Sequence, residues 1–385
     1  MVRAKASTIW RAPATAIAAA AVGLATQVRV VRPAHALTDR WQRIPVAPRG
    51  STRLGISFRP LQAAAFGLDA DDALKRLLDY PIEVVRLAAY WDRIEPTPGV
   101  ANFSELDRYV AAVEAAGRQI ILCVGAVKAF GYPEYFVPTH HTPVPLPEGT
   151  LIDGANHRPL LDAACEFVAR VVDRYRHRPS IIGWQIEHDA VDPLGMEHSW
   201  RLSTGFVAQE VAAVRAVDPS RPILMNGFLP TSVPVAISQR WRTRDQGDSL
   251  DVAQRLADVV GIDFYPRHAV TSMVGRSVYL DGSRAPWQQR RRRALFANGR
   301  EVMVCEGQAE PWEAVTKPPS EPGQAMYSCP PERLIEVYNQ CVGWNDGAPV
   351  TLSAYLFWGA EYWLRRARDG DPSYLNAFER ILAES

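Results

Sequence analysis

From Leu54 to the C-terminus, short β-rich runs alternate with longer segments of helical periodicity, and the alternation occurs eight times. The β-rich runs are Leu54 to Phe58, Val84 to Ala88, Gln119 to Gly125, Ile181 to Ile186, Pro222 to Asn226, Val259 to Tyr265, Val302 to Cys305 and Val350 to Phe357. Between them, Ala70 to Leu78, Phe103 to Ala116, Leu160 to Arg176, Thr204 to Val217 and Pro331 to Val342 carry apolar residues three and four apart, the stripe of an amphipathic helix. Asn102 or Ser104 can cap the second of these helices, and Gly117 follows its end. A strand followed by a helix is the unit that builds parallel sheet. The uninterrupted apolar run Ile120-Ile121-Leu122-Cys123-Val124 is that of a strand covered on both faces. A doubly wound sheet would carry fewer strands and a glycine-rich first turn, which Gly55 and Gly67 do not form. The predicted class is α/β, a closed (β/α)8 TIM barrel, and one such barrel accounts for residues 37–385 as a single domain.

Residues 1–36 are different. Arg3, Lys5 and Arg11 precede an Ala-rich apolar run from Ala12 to Ala25, and Ala34-His35-Ala36 offers a small-x-small cleavage site. This is the layout of a secretory signal peptide, so the chain is expected to be exported, to the cell envelope or beyond. No other stretch is long and apolar enough to span a bilayer, so stable membrane insertion is not expected. The five cysteines form no C-x-x-C pair, and an odd count leaves at least one free. Cys123 and Cys305 lie in apolar runs, while Cys329 and Cys341 are placed to bridge in an oxidising compartment. With 43 Lys+Arg against 42 Asp+Glu, the chain has no long-range field for a polyanion, which excludes a dedicated nucleic-acid binder. Nothing in the sequence indicates the oligomeric state.

In a barrel of this kind the chemistry sits at the C-terminal ends of the strands. Those ends carry Arg86 with Tyr90 and Trp91, then His188 and Asp189, Asn226, Asp263 and Tyr265, Glu306 with Gln308 and Trp312, and Trp358 with Glu361. Carboxylates, an arginine, amides and large aromatics on one rim suit a carbohydrate. Sugar rings stack on indole or phenol faces while their hydroxyls demand donors and acceptors.

Several segments carry more than composition. Arg86 is followed by Trp91-Asp92-Arg93-Ile94-Glu95-Pro96, Gly99, and a helix beginning Phe103-Ser104-Glu105-Leu106-Asp107. This resembles the second βα unit of the clan A glycoside hydrolases. Trp184-Gln185-Ile186-Glu187-His188-Asp189 is similar to their fourth strand, where a Trp is followed four and five residues on by Asn-Glu. Glu306, in Val302-Met303-Val304-Cys305-Glu306-Gly307-Gln308, resembles their nucleophile, and Tyr355 to Trp363 resembles their eighth strand and loop. The resemblance implies a retaining β-glycosidase acting on an oligosaccharide or polysaccharide, with Glu306 as nucleophile and the residue at 189 as acid/base. It also implies substrate contacts from Arg86, Trp91, His188, Asn226, Tyr265, Trp312 and Trp358, with Tyr265 bonded to the nucleophile.

One departure stands out: His188-Asp189 replaces the clan's Asn-Glu. Asp carries the same proton on a side chain one methylene shorter, and Glu187, two residues away on the strand alternation, is the alternative acid. Retention needs two carboxyl groups roughly 5 to 5.5 Å apart, one attacking and one protonating the leaving oxygen. A rival reading is a non-catalytic sugar-binding barrel that has lost its acid. No phosphate loop, dinucleotide fingerprint or G-x-S-x-G elbow occurs, so no cofactor is implied. His140-His141 lacks metal-ligand spacing, so no metal is expected, and Arg290 to Arg293 reads as a solvated helix face.

Overall fold

The structure is a computed structural model that describes residues 26–192, 199–230, 233–243, 246–273, 275–282, 286–315, 321, 323–345 and 351–385. Eight parallel strands close on themselves: β1 (Arg53–Ser57), β2 (Val84–Ala88), β3 (Gln119–Cys123), β4 (Ile181–Gln185), β5 (Ile223–Phe228), β6 (Val259–Phe264), β7 (Glu301–Gln308) and β8 (Leu352–Trp358). Each pairs with its sequence neighbour, and β8 returns to β1. The chain is therefore a (β/α)8 barrel. Helices α1 (Ala70–Leu78), α2 (Ser104–Ala115), α3 (Arg158–Tyr175), α4 (Thr204–Val217), α5 (Ser249–Leu256), α6 (Pro286–Ala297), α7 (Pro331–Val342) and α8 (Ala360–Arg368) form the outer ring, with α9 (Ser373–Glu384) closing the chain.

The periodicity places α1, α4 and α7 on their observed bounds and the other expected elements within a few residues of theirs. Asn102 starts α2 as expected, its Oδ1 accepting from the Ser104 amide at 3.0 Å, and Gly117 takes the left-handed φ of +68° after the helix. Two apolar layers hold the barrel. Val84, Ile121, Leu224, Val259, Met303, Cys305, Ala354 and Leu356 fill its interior, and a larger layer including Leu54, Val85, Leu122, Trp184 and Val304 packs beneath the helices. Alternate residues of one strand thus face two different cores. The polar groups Ser57, Arg86, Gln185, Asn226, Asp263 and Glu306 lie above the inner plug, at the C-terminal ends.

One expectation needs correction. The strand holding Glu306 runs on to Gln308, so Glu306 lies within β7 rather than past its end. A bulge there, with Ile262 opposite Val304 but Asp263 opposite Glu306, lets Cys305 and Glu306 both turn inward. The segment after β6 is a hairpin of Arg267–Met273 and Arg276–Asp281, and Val28–Val31 adds a third, antiparallel strand to it. All five cysteines are free; Cys329 and Cys341 are buried as small apolar groups. Of the signal-peptide reading, residues 1–25 lie outside the described residues, as do Val350 and the side chains of Arg290 and Arg291. Ala34–Ala36 pairs antiparallel with Gln324–Met326. No helix among the described residues is long and apolar enough to cross a membrane.

Candidate active site

A cavity of about 260 Å³ opens at the C-terminal end of the barrel. Glu306 sits on its floor. Arg86 Nη1 donates to Glu306 Oε1 at 2.7 Å, Tyr265 donates its hydroxyl to Oε2 at 2.5 Å, and His188 Nε2 lies 3.0 Å from Oε1. Burial alone would raise the Glu306 pKa, but the charges of His188 and Arg86 and the hydrogen bonds of His188 and Tyr265 outweigh it and hold the group down at about 2. Reciprocally, the imidazolium of His188 is held up to about 9, because Glu306 and Asp189 outweigh the desolvation that opposes its charge. His188 is thus a cation clamped on the floor carboxylate, rather than a neutral donor waiting for a sugar hydroxyl.

Asp189 lines the same cavity and is in the opposite electrostatic state. Burial raises its pKa, with the Glu306 charge adding to this and His188 and Lys128 opposing. Its backbone is unusual: Glu187 and Asp189 have φ of +53° and +44°, left-handed values that cost non-glycine residues roughly 1–3 kcal/mol each. The surroundings hold the turn in place. Glu187 turns away from the cavity and accepts from the backbone amides of Val127 and Lys128. The Lys128 ammonium, itself fully buried, donates to the carbonyls of Asp189 at 2.7 Å and Asp192 at 2.8 Å, while the Lys128 carbonyl accepts from the His188 amide. Phe228 N donates to Asp189 Oδ1 at 3.0 Å. Gly125 is required here, because a Cβ on it would lie 2.1 Å from the Glu187 amide nitrogen.

The Glu187 carboxyl is held by β3's exit loop and by Glu210, and burial raises the pKa of both. Trp91 also does not reach the cavity. It is buried on the helical turn after β2, stacked on Phe167 at 5.3 Å, with its Nε1 donating to Glu95. Asn226 and Arg86 lie below the cavity lining. Asn226 accepts from Gln185 and donates to Asp263, and Arg86 bonds Gln185 as well as Glu306, so both position the floor. Tyr265, Trp312, Trp358 and His188 line the cavity, with Tyr265 edge-on to both tryptophans.

The structure adds residues the motifs did not single out. Arg59, just after β1, bonds both carboxylate oxygens of Glu310 and the carboxylate of Glu361, and lies 4.2 Å over the Trp358 ring. Its place two residues beyond β1 was a legible signal. Phe228 at the end of β5, His268 on the hairpin after β6, and Tyr132 and Glu134 on the loop after β3 also line the cavity, and no motif singled them out. Among the described residues, His188, Asp189 and Asp263 bring ligand atoms within 4.8 Å of one another, and so do Glu95, His140 and His141. Spacing alone missed the second set, since Glu95 comes from another loop. In the first set His188 is committed to Glu306; in the second the Arg170 guanidinium, 3.4 Å from Glu95, already supplies a positive charge.

Fold and site together define a (β/α)8 barrel with a carboxylate-centred rim at its C-terminal end. The family model described as Beta-galactosidase, of glycoside hydrolase family 42, matches residues 69–193, about a third of the chain. No curated protein sequence matches. Among solved structures, GH5_18 from Streptomyces cattleya in complex with GlcNAc is 13% identical with a TM-score of 0.53, over 87% of this chain and 81% of that one. A GH5_18 from Bifidobacterium longum subsp. infantis is 14% identical with a TM-score of 0.53, over 86% and 79%. Xylanase 10B from Thermotoga petrophila RKU-1, in complex with xylobiose, is 11% identical with a TM-score of 0.52, over 89% and 98%. The chain is thus a (β/α)8 barrel similar in fold to these glycoside hydrolases, and its residues 69–193 match the family 42 model.

Proposed function

We propose that this protein is a retaining β-glycosidase acting on a β-linked oligosaccharide or polysaccharide, with Glu306 as nucleophile and Asp189 as acid/base. The observation that carries the reading is the pair of opposed carboxyl environments in one cavity: Glu306 held ionised by hydrogen bonds from Arg86 and Tyr265 and by the charge of His188, Asp189 pushed towards its protonated form by burial. Double displacement needs that division, a carboxylate to attack the anomeric carbon and a carboxylic acid to protonate the leaving oxygen. Once the glycosyl-enzyme has formed, the deprotonated acid takes a proton from water as the water oxygen displaces Glu306. The sugar ligands in the related GlcNAc and xylobiose complexes support a carbohydrate partner, and Trp358 and Trp312 supply faces for a ring to stack on. No cofactor takes part in this scheme.

Export belongs to the same reading, with the leader cut on the N-terminal side of Val28, because residues 28–36 are paired with the rest of the fold. N-terminal sequencing of the protein recovered outside the cytoplasm tests this; a start after Ala36 would refute that cut. The activity is tested by turnover of aryl β-glycosides and by labelling with an activated 2-deoxy-2-fluoro glycoside, whose covalent adduct is expected on Glu306. Tight sugar binding with neither turnover nor adduct would instead establish a binding protein.

A further inference from the structure

Glu134 is a carboxyl group that no motif points to. It lies in the hairpin leaving β3, where Lys128 and Tyr135 pair as an antiparallel bridge, Ala129 N donates to the Glu134 carbonyl at 3.2 Å and Phe136 N donates to Val127 O at 3.0 Å. Phe130 packs 4.0 Å under the Arg86 guanidinium and Phe136 against Tyr90, which fixes the hairpin to the barrel rim. The side chain faces the same cavity as Glu306 and Asp189. Every other carboxyl in that lining is engaged: Glu306 by Arg86, Tyr265 and His188, Glu310 on both oxygens by Arg59, and Asp189 by the Phe228 amide. Among the described residues, none donates a hydrogen bond to the Glu134 carboxyl, which feels burial and the charges around it. Burial raises its pKa, with Asp189 and Glu306 adding to this and Lys128 and His188 opposing, so the protonated form is favoured.

We propose that Glu134 is a catalytic residue of this cavity, which protonates the leaving oxygen in place of Asp189. The inference rests on the glycosidase reading above and supplies what that reading lacks, a full-length acid side chain where Asp189 is one methylene short. In the first step an oxygen of Glu306 bonds to the anomeric carbon, the glycosidic C–O bond breaks, and the leaving oxygen takes the Glu134 proton and departs as an alcohol. In the second, water gives its proton to the Glu134 carboxylate as its oxygen bonds to the anomeric carbon, and the Glu306 ester bond breaks.

The test is Glu134→Gln beside Asp189→Asn, measured as kcat/KM over aryl β-glycosides whose phenols span a wide range of acidity. Glu134→Gln is expected to lose about 10²–10⁴-fold on poor leaving groups and little on dinitrophenyl glycosides, with azide accelerating the second step and Glu134→Asp restoring part of the loss. Labelling of Glu306 by the fluoro glycoside should persist in Glu134→Gln, which shows that the variant is folded with its nucleophile in place. A wild-type leaving-group dependence in Glu134→Gln, or a uniform loss across the series, overturns the assignment and leaves Asp189 as the acid. Failure of the wild-type protein both to turn over the series and to label Glu306 overturns the glycosidase reading, and Glu134 with it.

Discussion

The ends of β7 and β4 present carboxyl groups to one cavity by different means. Glu306 lies inside a strand, hydrogen-bonded to neighbours on both sides, and a one-residue bulge aims it at three donors. Asp189 lies four residues past the end of β4, in a turn with two left-handed non-glycine residues, and groups from β3's exit loop and from β5 keep it there. The Glu306 position is thus built from secondary structure, and the Asp189 position from tertiary contacts around a strained turn. A residue in a ladder is held by many weak interactions at once, whereas the turn depends on a few polar contacts, each worth about 1–3 kcal/mol when its loss leaves a buried partner unsatisfied.

The largest expected effect tests the β7 side. Glu306→Gln should abolish turnover by about 10⁴-fold or more while leaving the thermal melt near that of the wild type, read by aryl glycoside kinetics and circular dichroism. Near wild-type turnover would remove Glu306 from the mechanism. On the β4 side, Lys128→Met takes the ammonium donor from the Asp192 carbonyl and leaves that of Asp189 with the Asp192 amide alone. It should lower kcat by about 10²-fold and also lower the melting temperature by several degrees, a coupling of activity to stability that Glu306→Gln should not show. If Lys128→Met is as stable as the wild type, the turn is not held in the way described.

Smaller effects test the electrostatics between the two ends. Tyr265→Phe removes one donor from Glu306 and should cost about tenfold, with the acid limb of the kcat/KM profile moving up from its low position because the carboxylate is less well held. The alkaline limb, set by the protonated carboxyl opposite, should stay where it is. Stability should fall as pH rises. His188 has a folded pKa of about 9 against an ordinary 6.5, so its contribution is full below about 6.5 and is lost as pH rises through about 9. Asp192, raised by burial and by Asp189 and Asp248 to about 8, acts in the same direction, its contribution being lost from about 3.8 upward. Melting temperatures from pH 6 to 9.5 should decline, and His188→Gln should flatten the decline over the upper part of that range. The smallest functional effect is expected from Trp91→Phe, which should destabilise the fold by about 1 kcal/mol through lost packing and a lost hydrogen bond yet leave kcat/KM within about twofold, as urea titration and kinetics would show.

The barrel was legible because its two buried faces impose patterns along the chain. Ile120 to Val124 must be apolar throughout to serve an inner plug and an outer helix layer, and the helices between the strands must carry an apolar stripe every third and fourth residue. That order of elements, with the rule that chemistry sits at strand C-terminal ends, was enough to single out Glu306, Tyr265, Trp312, Trp358, His188 and Asp189, all of which the fold brings to one cavity. Trp91 and Asn226 sit as near to strand ends in sequence, but periodicity says only that a residue is at the rim. Whether its side chain turns into the cavity or into the helix layer depends on what packs beside it.

The linear chain therefore determined the eight units, their closure into a barrel and the presence of carboxyls at its rim, because these follow from local periodicity repeated along the sequence. Only the tertiary structure decided that Glu187 points away while Asp189 points in, that His188 grips the floor carboxylate, and that Arg59 pairs with Glu310 and Glu361 across some 250 to 300 residues of chain. The same holds for Glu134, which enters the cavity from a hairpin whose sequence carries no signal of it. These decisions rest on charge and hydrogen bonding between groups distant in sequence, and such interactions depend on distance in space, which a period of two or 3.6 residues does not record.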